Sequence, residues 1–576
     1  MKRCPQCNRV EADDALGFCR VDGATLVTGP LADSENTTAI FDSNGLSSES
    51  TTRSFAPHTN EGVSRSTGPT TTLPSRQLHS QTRPLARPTR AKILVAVAAV
   101  IIAALGVTAY FFLTRTRDNK TISSVAVLPF VDRSGNTDSE YITDGIAESL
   151  IYRLSQLPNL KVSPTSSVMR YKGKEVDVQK IATELGVDAV MSGRMMERGE
   201  NIMISVELID ARTNRLLWGE QFERKMSDLM SVQREIASAV SQKLQLKLGG
   251  AETGTSKRYT TDNDAYRHYL KGRFYWNKRT SESVDKAIDQ FTTAVQKDPE
   301  FALAYAGLAD CYAMLSVFVG RKWQENVALA RSNALKATQL DETLAEPHAT
   351  LGLINHFEWR TAEAETEFRR AIDLNPNYAT ARHWYALFLR AVGRDDEAYD
   401  QMNRANEIDP ISLVVLQNIA SIQIARGNPE EAVAICRKLL DLEPSFWAGH
   451  NTLAIAYIKQ QRYDEALAEA QKVVELTKRG NDSLALLAHV YGRMGRRAQA
   501  ESVIKELQGK YAKQNADARD LAVAYAGLDQ KDQVFAWLEK SYQEHSQTMA
   551  QLRTEALLDP VKSDPRWNEL LKRVGV

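Results

Sequence analysis

Three cysteines near the start of the chain have the spacing of a metal site. Cys4 and Cys7 form a CxxC turn, and Cys19 follows after a short hairpin-like return. Two thiolates at this spacing can meet one tetrahedral ion. The segment from Cys19 to Asp22 repeats the spacing with a carboxylate, which is an acceptable zinc ligand. We therefore expect one zinc ion, held by Cys4, Cys7, Cys19 and Asp22.

This stretch resembles the short zinc-ribbon modules at the amino termini of many bacterial membrane proteins. It shares CPxC, a polar run, FC and DG with them, although Asp22 stands where a four-cysteine ribbon has its last thiol. A redox-active CxxC or three free thiols are the alternatives, but neither accounts for Cys19 and the turn after it. Because so few residues cannot form a core without the ion, residues 1–28 are predicted to be a zinc-ribbon-like knuckle.

No other group of residues has the spacing of a catalytic or nucleotide-binding site. The nine histidines include no HExxH pair, and the glycines form neither GxGxxG nor GxxxxGK[ST]. Basic and acidic residues are equal in number, 72 each, so the overall charge does not attract nucleic acid. No basic run with interleaved aromatic residues accompanies the cysteines. The sequence therefore predicts a protein that is not an enzyme and gives no support for nucleic-acid binding.

A transmembrane helix is predicted for residues 93–113. This apolar run carries no charge and is long enough to cross the hydrocarbon core of a bilayer. A buried core helix would be shorter and would show a polar face, and a cleavable signal peptide would not follow 92 residues of other sequence. Residues 29–92 are rich in Ser, Thr, Pro and Asn without apolar periodicity, so they are predicted to be a disordered linker.

Basic residues flank the apolar run on both sides, with a slight excess on the amino side. They are Arg83, Arg87, Arg90 and Lys92 before the run and Arg115, Arg117 and Lys120 after it. Because positively charged flanks stay inside, we expect a single-pass protein of the bacterial inner (plasma) membrane. Its amino terminus would be cytoplasmic and its carboxyl-terminal region extracytoplasmic.

Residues 121–249 are predicted to form an α+β domain. Short apolar runs indicate buried strands, apolar residues at helical spacing indicate helices, and two tight turns separate three alternating segments. The predicted strands are 124–130, 160–162, 189–198, 201–210 and 215–224, and the predicted helices are 140–157, 178–185 and 226–248.

This domain resembles the TolB-like amino-terminal domains that accompany repeat arrays in many bacterial proteins. The matching segments are AVLPFVDRSGN (126–136), YITDGIAESLIYRLSQLPNLKV (141–162), SSVMRYKGKEVDVQKIATELGVDAVMSGRM (166–195) and VELIDARTNRLLWGEQFER (206–224). The resemblance implies a non-catalytic domain for interaction or support. Some such modules are labelled adenylate cyclase, but no carboxylate pair for a metal-bound nucleotide is evident in this sequence.

Residues 264–548 show helical patterns with a period of 34 residues, which is that of the tetratricopeptide repeat. Pro376, Pro410 and Pro444 recur at this interval, and each ends the second helix of a unit. Small residues recur where the two helices must cross closely, including Gly352 and Ala364. We predict eight units and a capping segment, 549–576. The regular units begin near Ala345, Ala379, Leu413, Trp447 and Asn481.

The concave surface of such a solenoid is lined mainly by the first helix of each unit. A groove for a protein or peptide partner is the functional interpretation, and a solvated face without a ligand is the alternative. By repeat position, the predicted groove residues are His356, His383, Arg390, Gln417, Asn451, His489 and Arg493. The oligomeric state is not indicated, because the apolar run has no GxxxG.

Taken together, these features predict a multidomain chain: a small zinc ribbon, a disordered linker, one transmembrane helix, an α+β TolB-like domain and an all-α tetratricopeptide repeat solenoid. We expect a membrane-anchored scaffold or receptor that binds protein or peptide partners. The plan resembles proteins in which a winged-helix regulator or kinase domain precedes the membrane helix. The alternative is a membrane-bound signal transducer or transcription regulator whose knuckle contacts DNA or a cytoplasmic effector.

Overall fold

The chain forms two compact units, Met1–Ala98 and Ala99–Val576. A computed structural model describes residues 2–3, 10–11, 122–134, 140–157, 159–174, 177–244, 259–278, 280–317 and 323–576. In the first unit, β1 (Lys2–Arg3) pairs antiparallel with β2 (Val10–Glu11). Outside the described residues lie the predicted zinc ligands Cys4, Cys7, Cys19 and Asp22, the linker 29–92 and the apolar run 93–113. Within the described ranges, no helix combines the length and the apolar character that crossing a membrane requires.

The second unit begins with a six-stranded sheet. Its main path runs β5-β3-β6-β7-β8, and β4 pairs with β6. Strands β3, β4, β5 and β6 pair in parallel, whereas β6, β7 and β8 form an antiparallel meander. The strands are β3 (Ser124–Val127), β4 (Val131–Asp132), β5 (Lys161–Val162), β6 (Ala189–Arg198), β7 (Asn201–Asp210) and β8 (Arg215–Lys225).

Among the described residues, four α-helices accompany this sheet. They are α1 (Glu140–Ser155), α2 (Thr165–Val168), α3 (Val178–Leu185) and α4 (Leu229–Lys243). Local chemistry explains why α3 begins and ends where predicted. The Asp177 side chain accepts a hydrogen bond from the Gln179 amide at the amino end, and Gly186 takes a left-handed conformation (φ 60°) at the carboxyl end.

The sheet differs from the sequence prediction at one point. A single strand was predicted over 124–130, but β3 ends at Val127 and β4 begins only at Val131. Between them, the Phe130 ring packs against Gly193, where an added Cβ would lie 2.4 Å from the ring. The chain therefore changes its pairing position along β6 and buries an aromatic side chain.

In the described residues from 263 onward, eight helix pairs follow and form the tetratricopeptide repeat solenoid. The five regular units begin at the predicted residues. The pairs are α5 (Asn263–Asn277) and α6 (Ser281–Lys297), α7 (Ala302–Val317) and α8 (Trp323–Leu340), α9 (Ala345–Phe357) and α10 (Thr361–Leu374), α11 (Ala379–Ala391) and α12 (Asp395–Ile408), α13 (Leu413–Ala425) and α14 (Pro429–Leu442), α15 (Trp447–Lys459) and α16 (Tyr463–Leu476), α17 (Asn481–Arg493) and α18 (Arg497–Ala512), and α19 (Ala518–Gly527) and α20 (Lys531–Gln543).

Close helix crossing explains the small residues of the repeat. A Cβ added at Gly352 would lie 2.8 Å from the Phe368 ring, so the two helices of unit 3 can approach only because that atom is absent. Unit 6 has Lys478 in place of the proline that follows the second helices of units 1, 3, 4 and 5. There the chain turns through positive φ values at Lys478 (52°) and Arg479 (62°).

The last residues, 546–576, are called the tail. The tail contains two 3-10 segments, Gln547–Thr554 and Ala556–Val561, and a final helix, α21 (Pro565–Val574). Helix α21 packs on α20, as a predicted cap would, whereas the first 3-10 segment reaches back to α9 and α11. The tail therefore packs against units 3 and 4 as well as against the last unit.

The α/β domain and the first repeats share one hydrophobic core. Tyr266 and Leu270 of α5 are buried together with residues of α1 and of the sheet. The contact is close enough that a Cβ on Gly145 would lie 2.8 Å from Leu270. The sheet domain is therefore packed onto the solenoid.

Candidate functional site

Three of the predicted groove residues occupy the same repeat position in successive units. His383, Gln417 and Asn451 are the fifth residues of α11, α13 and α15, and all three are partly exposed. The Gln417 amide nitrogen donates to Thr452 Oγ1 at 2.8 Å, and His383 Nε2 lies 3.1 Å from the side-chain nitrogen of Asn418. These contacts connect neighbouring first helices by polar side chains.

Two other predicted groove residues are buried. His356 is 4% exposed and Arg390 is 7% exposed. The His356 ring meets Phe388 edge to face at 5.7 Å, and burial lowers the pKa of His356 to about 4. Burial also lowers the pKa of Arg390. Neither side chain is presented to an outside partner in this arrangement.

The last two predicted groove residues pack between units 7 and 8. His489 is buried, and its Nδ1 lies 3.0 Å from the Val523 carbonyl oxygen of α19. Arg493 donates to Asp529 at 3.0 Å. The predicted groove set is therefore not one continuous surface, and its role in partner binding stays a prediction.

The α/β domain contacts the amino-terminal side of several repeat units. Asp409, in the turn before α13, accepts hydrogen bonds from the side chains of Ser166 (3.2 Å) and Ser167. Asn377, before α11, donates to the Leu160 carbonyl oxygen at 3.1 Å. In unit 1, Arg273 Nε donates to Glu148 Oε1 at 2.6 Å. The domain therefore covers the side on which α11 and α13 begin.

The tail contacts the opposite ends of the first helices. Ala550 is buried with Leu353 and Phe388 of α9 and α11, and Lys459 at the end of α15 pairs with Asp559. The Thr361 hydroxyl donates to the Gly575 carbonyl oxygen at 3.2 Å. These contacts place the chain's own residues over part of the surface that was predicted to bind a partner.

Near the contacts of the α/β domain, one apolar side chain in the first turn of α13 and one in the first turn of α15 stay exposed. Val414 is 46% exposed and Trp447 is 45% exposed. Residues three or four apart share a helix face, so Val414 lies beside Gln417 and Trp447 beside Asn451. We call these four residues the open rim.

The sequence prediction included Gln417 and Asn451 but not the two apolar members of the open rim. Trp447 was identified only as the first residue of a unit. The available signal was its type, because Ala345 and Ala379 occupy the same repeat position in units 3 and 4. The close crossing of the two helices does not require a tryptophan at this first position of the unit.

The described residues were also searched for groups of side chains that could hold a metal ion. Among them, no three His, Cys, Asp or Glu side chains are grouped so that they could share a metal ion. The prediction of a zinc ion rests on residues outside the described ranges and stays a prediction, as does the expectation that the chain is not an enzyme.

Two family models match separate parts of the second unit. The family model of the tetratricopeptide repeat matches residues 423–480. The model described as HilA/YgeH-like transcriptional regulator, second domain, matches residues 120–239, which contain the sheet. The carboxyl-terminal part of the chain is thus a repeat solenoid of a type that is common in protein-interaction scaffolds, and it follows a small sheet domain.

Individual relatives match only part of their length. The chain is 32% identical over 247 residues to "Putative adenylate cyclase 3" of Rhizobium meliloti, and the alignment covers 42% of each chain. It is 26% identical over 298 residues to the transcriptional regulator HilA of Salmonella typhimurium, and this alignment covers 50% of this chain and 51% of the relative. The matches thus span about half of each relative or less. The crystal structure of yeast Tom70 aligns with 55% of this chain and 69% of its own at 18% identity and a TM-score of 0.35.

Proposed function

We propose that this protein is a scaffold or receptor that binds a protein or peptide partner at the open rim of its solenoid. One observation carries the proposal: Trp447 and Val414 are about half exposed beside the polar side chains of Asn451 and Gln417. Tryptophan is enriched among the residues that dominate binding energy at protein interfaces.

The chemistry of the open rim favours an extended segment with an apolar anchor. The amide side chains of Gln417 and Asn451 can each donate and accept hydrogen bonds, as the backbone of a bound segment requires. Trp447 supplies a large apolar surface next to them. The nearest parts of the solenoid are already covered by the α/β domain and the tail, so the open rim is where a partner has access without displacing either.

Site-specific photocrosslinking in the cells that produce the protein tests this proposal. A photoreactive phenylalanine derivative is placed at Asn451, and adducts are identified by mass spectrometry. The same residue at Gln471, which is exposed on the second helix α16, serves as the control position. We expect a discrete protein adduct at position 451 that is absent at position 471.

A substitution then connects the adduct to the open rim. Trp447→Ala is expected to reduce the adduct yield about thirtyfold at subsaturating partner, because truncating a central aromatic anchor typically costs about 2 kcal/mol of binding free energy. Leu335→Ala removes an apolar side chain that is 52% exposed on α8 and should leave the yield unchanged. Equal adducts at positions 451 and 471, or an adduct that Trp447→Ala does not weaken, would contradict the proposal.

Membrane anchoring and zinc binding belong to this proposal as well. The supporting features are the uncharged run 93–113 and the spacing of Cys4, Cys7, Cys19 and Asp22. The sheet domain is proposed to be TolB-like and to act in interaction or support. Reporter fusions at the carboxyl terminus, active only outside or only inside the cytoplasm, test the proposed inner-membrane topology. Metal analysis of the purified chain should give about one zinc per chain and none after Cys4→Ser, because thiolates are the main ligands.

Regulation of transcription is a second candidate function. The observation in its favour is the match of residues 120–239 to a domain of HilA/YgeH-like transcriptional regulators. DNA contact through the zinc knuckle would lose affinity steeply as the salt concentration rises, because it depends on phosphate neutralisation. A salt titration of DNA binding by the zinc-loaded full chain and by its Cys4→Ser variant tests this function. If the chain shows no salt-dependent binding to DNA, this second function is excluded and the scaffold function remains.

A further inference from the structure

A cavity of about 380 Å³ lies where the α/β domain meets units 1 to 4. Its walls come from α1, α5 and α7 and from the residues at the starts of α9 and α11. Sites for small molecules are usually concave, of about 300–1,000 Å³, and lined by apolar and aromatic side chains with a few polar groups. This cavity has that size and construction.

Aromatic side chains form much of the wall. They are Tyr152, Tyr259, Tyr266, Tyr269, Trp276, Tyr378 and Trp384. The rings of Tyr152 and Tyr259 meet edge to face with centroids 5.7 Å apart. The Tyr259 ring already holds one cation, because the guanidinium of Arg153 lies 4.9 Å from its centroid. Aromatic faces attract cations through their quadrupole, so a wall of this kind favours a positively charged ligand.

The charged residues of the wall are unbalanced. Three carboxylates line the cavity, on Glu148, Asp310 and Glu346, against the guanidinium of Arg273 in the wall and that of Arg153 on the Tyr259 ring. Arg273 pairs with Glu148, and Asp310 accepts a hydrogen bond from the Thr350 hydroxyl at 2.6 Å. Glu346 differs from both, because its Oε2 atom is buried and accepts no hydrogen bond from the described residues.

Burial also makes the charged form of Glu346 costly. It raises the pKa of this carboxyl to about 7, and the nearby charge of Asp310 acts in the same direction. A cation bound beside Glu346 would stabilise the ionised carboxylate and satisfy its free oxygen.

We propose that this cavity binds a small organic cation with an apolar or aromatic body, whose ammonium group contacts Glu346 while its body packs on the tyrosine rings. The site is separate from the open rim, so it does not depend on the function proposed above. Its occupation would connect the α/β domain to units 3 and 4, since both contribute to the wall.

Matched pairs of ligands test the proposal on the purified full chain. Each pair has one shape with and without the charge: phenethylamine and 2-phenylethanol, tryptamine and tryptophol, choline and 3,3-dimethyl-1-butanol. Calorimetry measures the affinities. For at least one pair, we expect the cation to bind about tenfold or more tightly than its neutral partner, the effect of about 1.4 kcal/mol that a buried charge contact can supply.

Two variants assign the preference to Glu346. Glu346→Gln keeps the shape and should abolish the preference for the cation. Glu342→Gln removes the same charge from an exposed position in the turn before α9 and should retain it. If no cation binds more tightly than its neutral partner, or if Glu346→Gln keeps the preference, the proposal is wrong. The ligand pairs are compared on the unaltered chain, so the test stands even if that variant fails to fold.

The pH dependence gives an independent measurement. A carboxyl with a pKa of about 7 is roughly one-tenth ionised at about pH 6 and roughly nine-tenths ionised at about pH 8. Cation affinity should therefore rise about tenfold over this interval, and Glu346→Gln should remove the rise. The charged groups that act on Glu346 are Asp310, Arg273 and Asp341, and the titratable hydroxyls of Tyr152, Tyr259 and Tyr269 also interact with it. A pH-independent affinity in the unaltered chain would overturn the role of Glu346.

Discussion

Units 3 and 5 of the solenoid place the same repeat position in different surroundings. Glu346 is the second residue of α9 and lines the cavity under the α/β domain, whereas Val414 is the second residue of α13 and is 46% exposed. The repeat pattern determines where a side chain stands on its helix. The parts of the chain packed around the solenoid determine whether an outside partner can reach it.

The two covers also differ from each other in chemistry. The α/β domain meets the repeats through hydrogen-bonded and charged groups, such as Glu148 with Arg273, and through a shared apolar core. The tail meets units 3 and 4 with few polar contacts and buries Trp567 and Leu558 further along. Single substitutions can therefore measure how strongly each cover is held and how the open rim differs from both.

The largest effect on stability is expected for Trp567→Ala in the tail. Trp567 is 3% exposed, and truncating a buried aromatic side chain typically lowers the free energy of unfolding by about 3–5 kcal/mol. Urea denaturation of the purified chain measures this loss. A loss below about 1 kcal/mol would mean that helix α21 is only loosely attached to the end of the solenoid.

Next in size is Glu148→Ala, at the contact between the α/β domain and unit 1. Glu148 is 8% exposed and pairs with Arg273, so its removal leaves a guanidinium largely buried without its carboxylate. We expect a loss of about 3 kcal/mol in the same denaturation experiment. Glu363→Ala breaks the exposed pair with Arg360 and should cause no measurable change. Similar results for the two variants would contradict the buried contact.

Sequence reasoning could predict the repeat units because their constraints are local. A period of 34 residues, small residues at helix crossings and terminating prolines all act within one unit or between neighbours. The meander β6-β7-β8 was predictable for the same reason, since alternation and tight turns determine it. The break between β3 and β4 was not, because it depends on Phe130 packing on Gly193 of a distant strand.

The surfaces of the solenoid could not be predicted in this way. Ser166 and Asp409 meet across 243 positions of sequence, and no periodicity reports such a contact. In the sequence, Glu346 is an acidic residue in the first turn of a helix, where its charge would interact favourably with the helix dipole. Its place in the cavity follows only from the packing of the α/β domain on the repeats.

A pH effect of intermediate size is expected at His356, in the unit against which the tail packs. Burial lowers its pKa from 6.5 to about 4. Between these values the unfolded chain binds a proton that the folded chain does not, so stability falls as the pH falls from 6.5 to 4 and then levels off. At most about 3 kcal/mol is involved.

The variant His356→Asn removes this proton linkage without introducing a new charge. Its free energy of unfolding should depend less on pH than that of the unaltered chain between pH 6.5 and 4, and the two should run in parallel above pH 7, roughly. Urea denaturation at a series of pH values makes the comparison. Identical pH profiles for both proteins would show that His356 is accessible to solvent and that the tail does not keep α9 buried.

The smallest effect on stability is expected for Trp447→Ala at the open rim. Its side chain is 45% exposed, whereas that of Trp567 is 3% exposed, so the same truncation removes only a little over half as much buried surface. We expect the free energy of unfolding to fall by about 1–2 kcal/mol, less than at Trp567. The same variant should nevertheless lose most of the crosslinking at position 451. A large loss of stability would instead make Trp447 a structural residue, and the binding surface would then have to be sought under the tail.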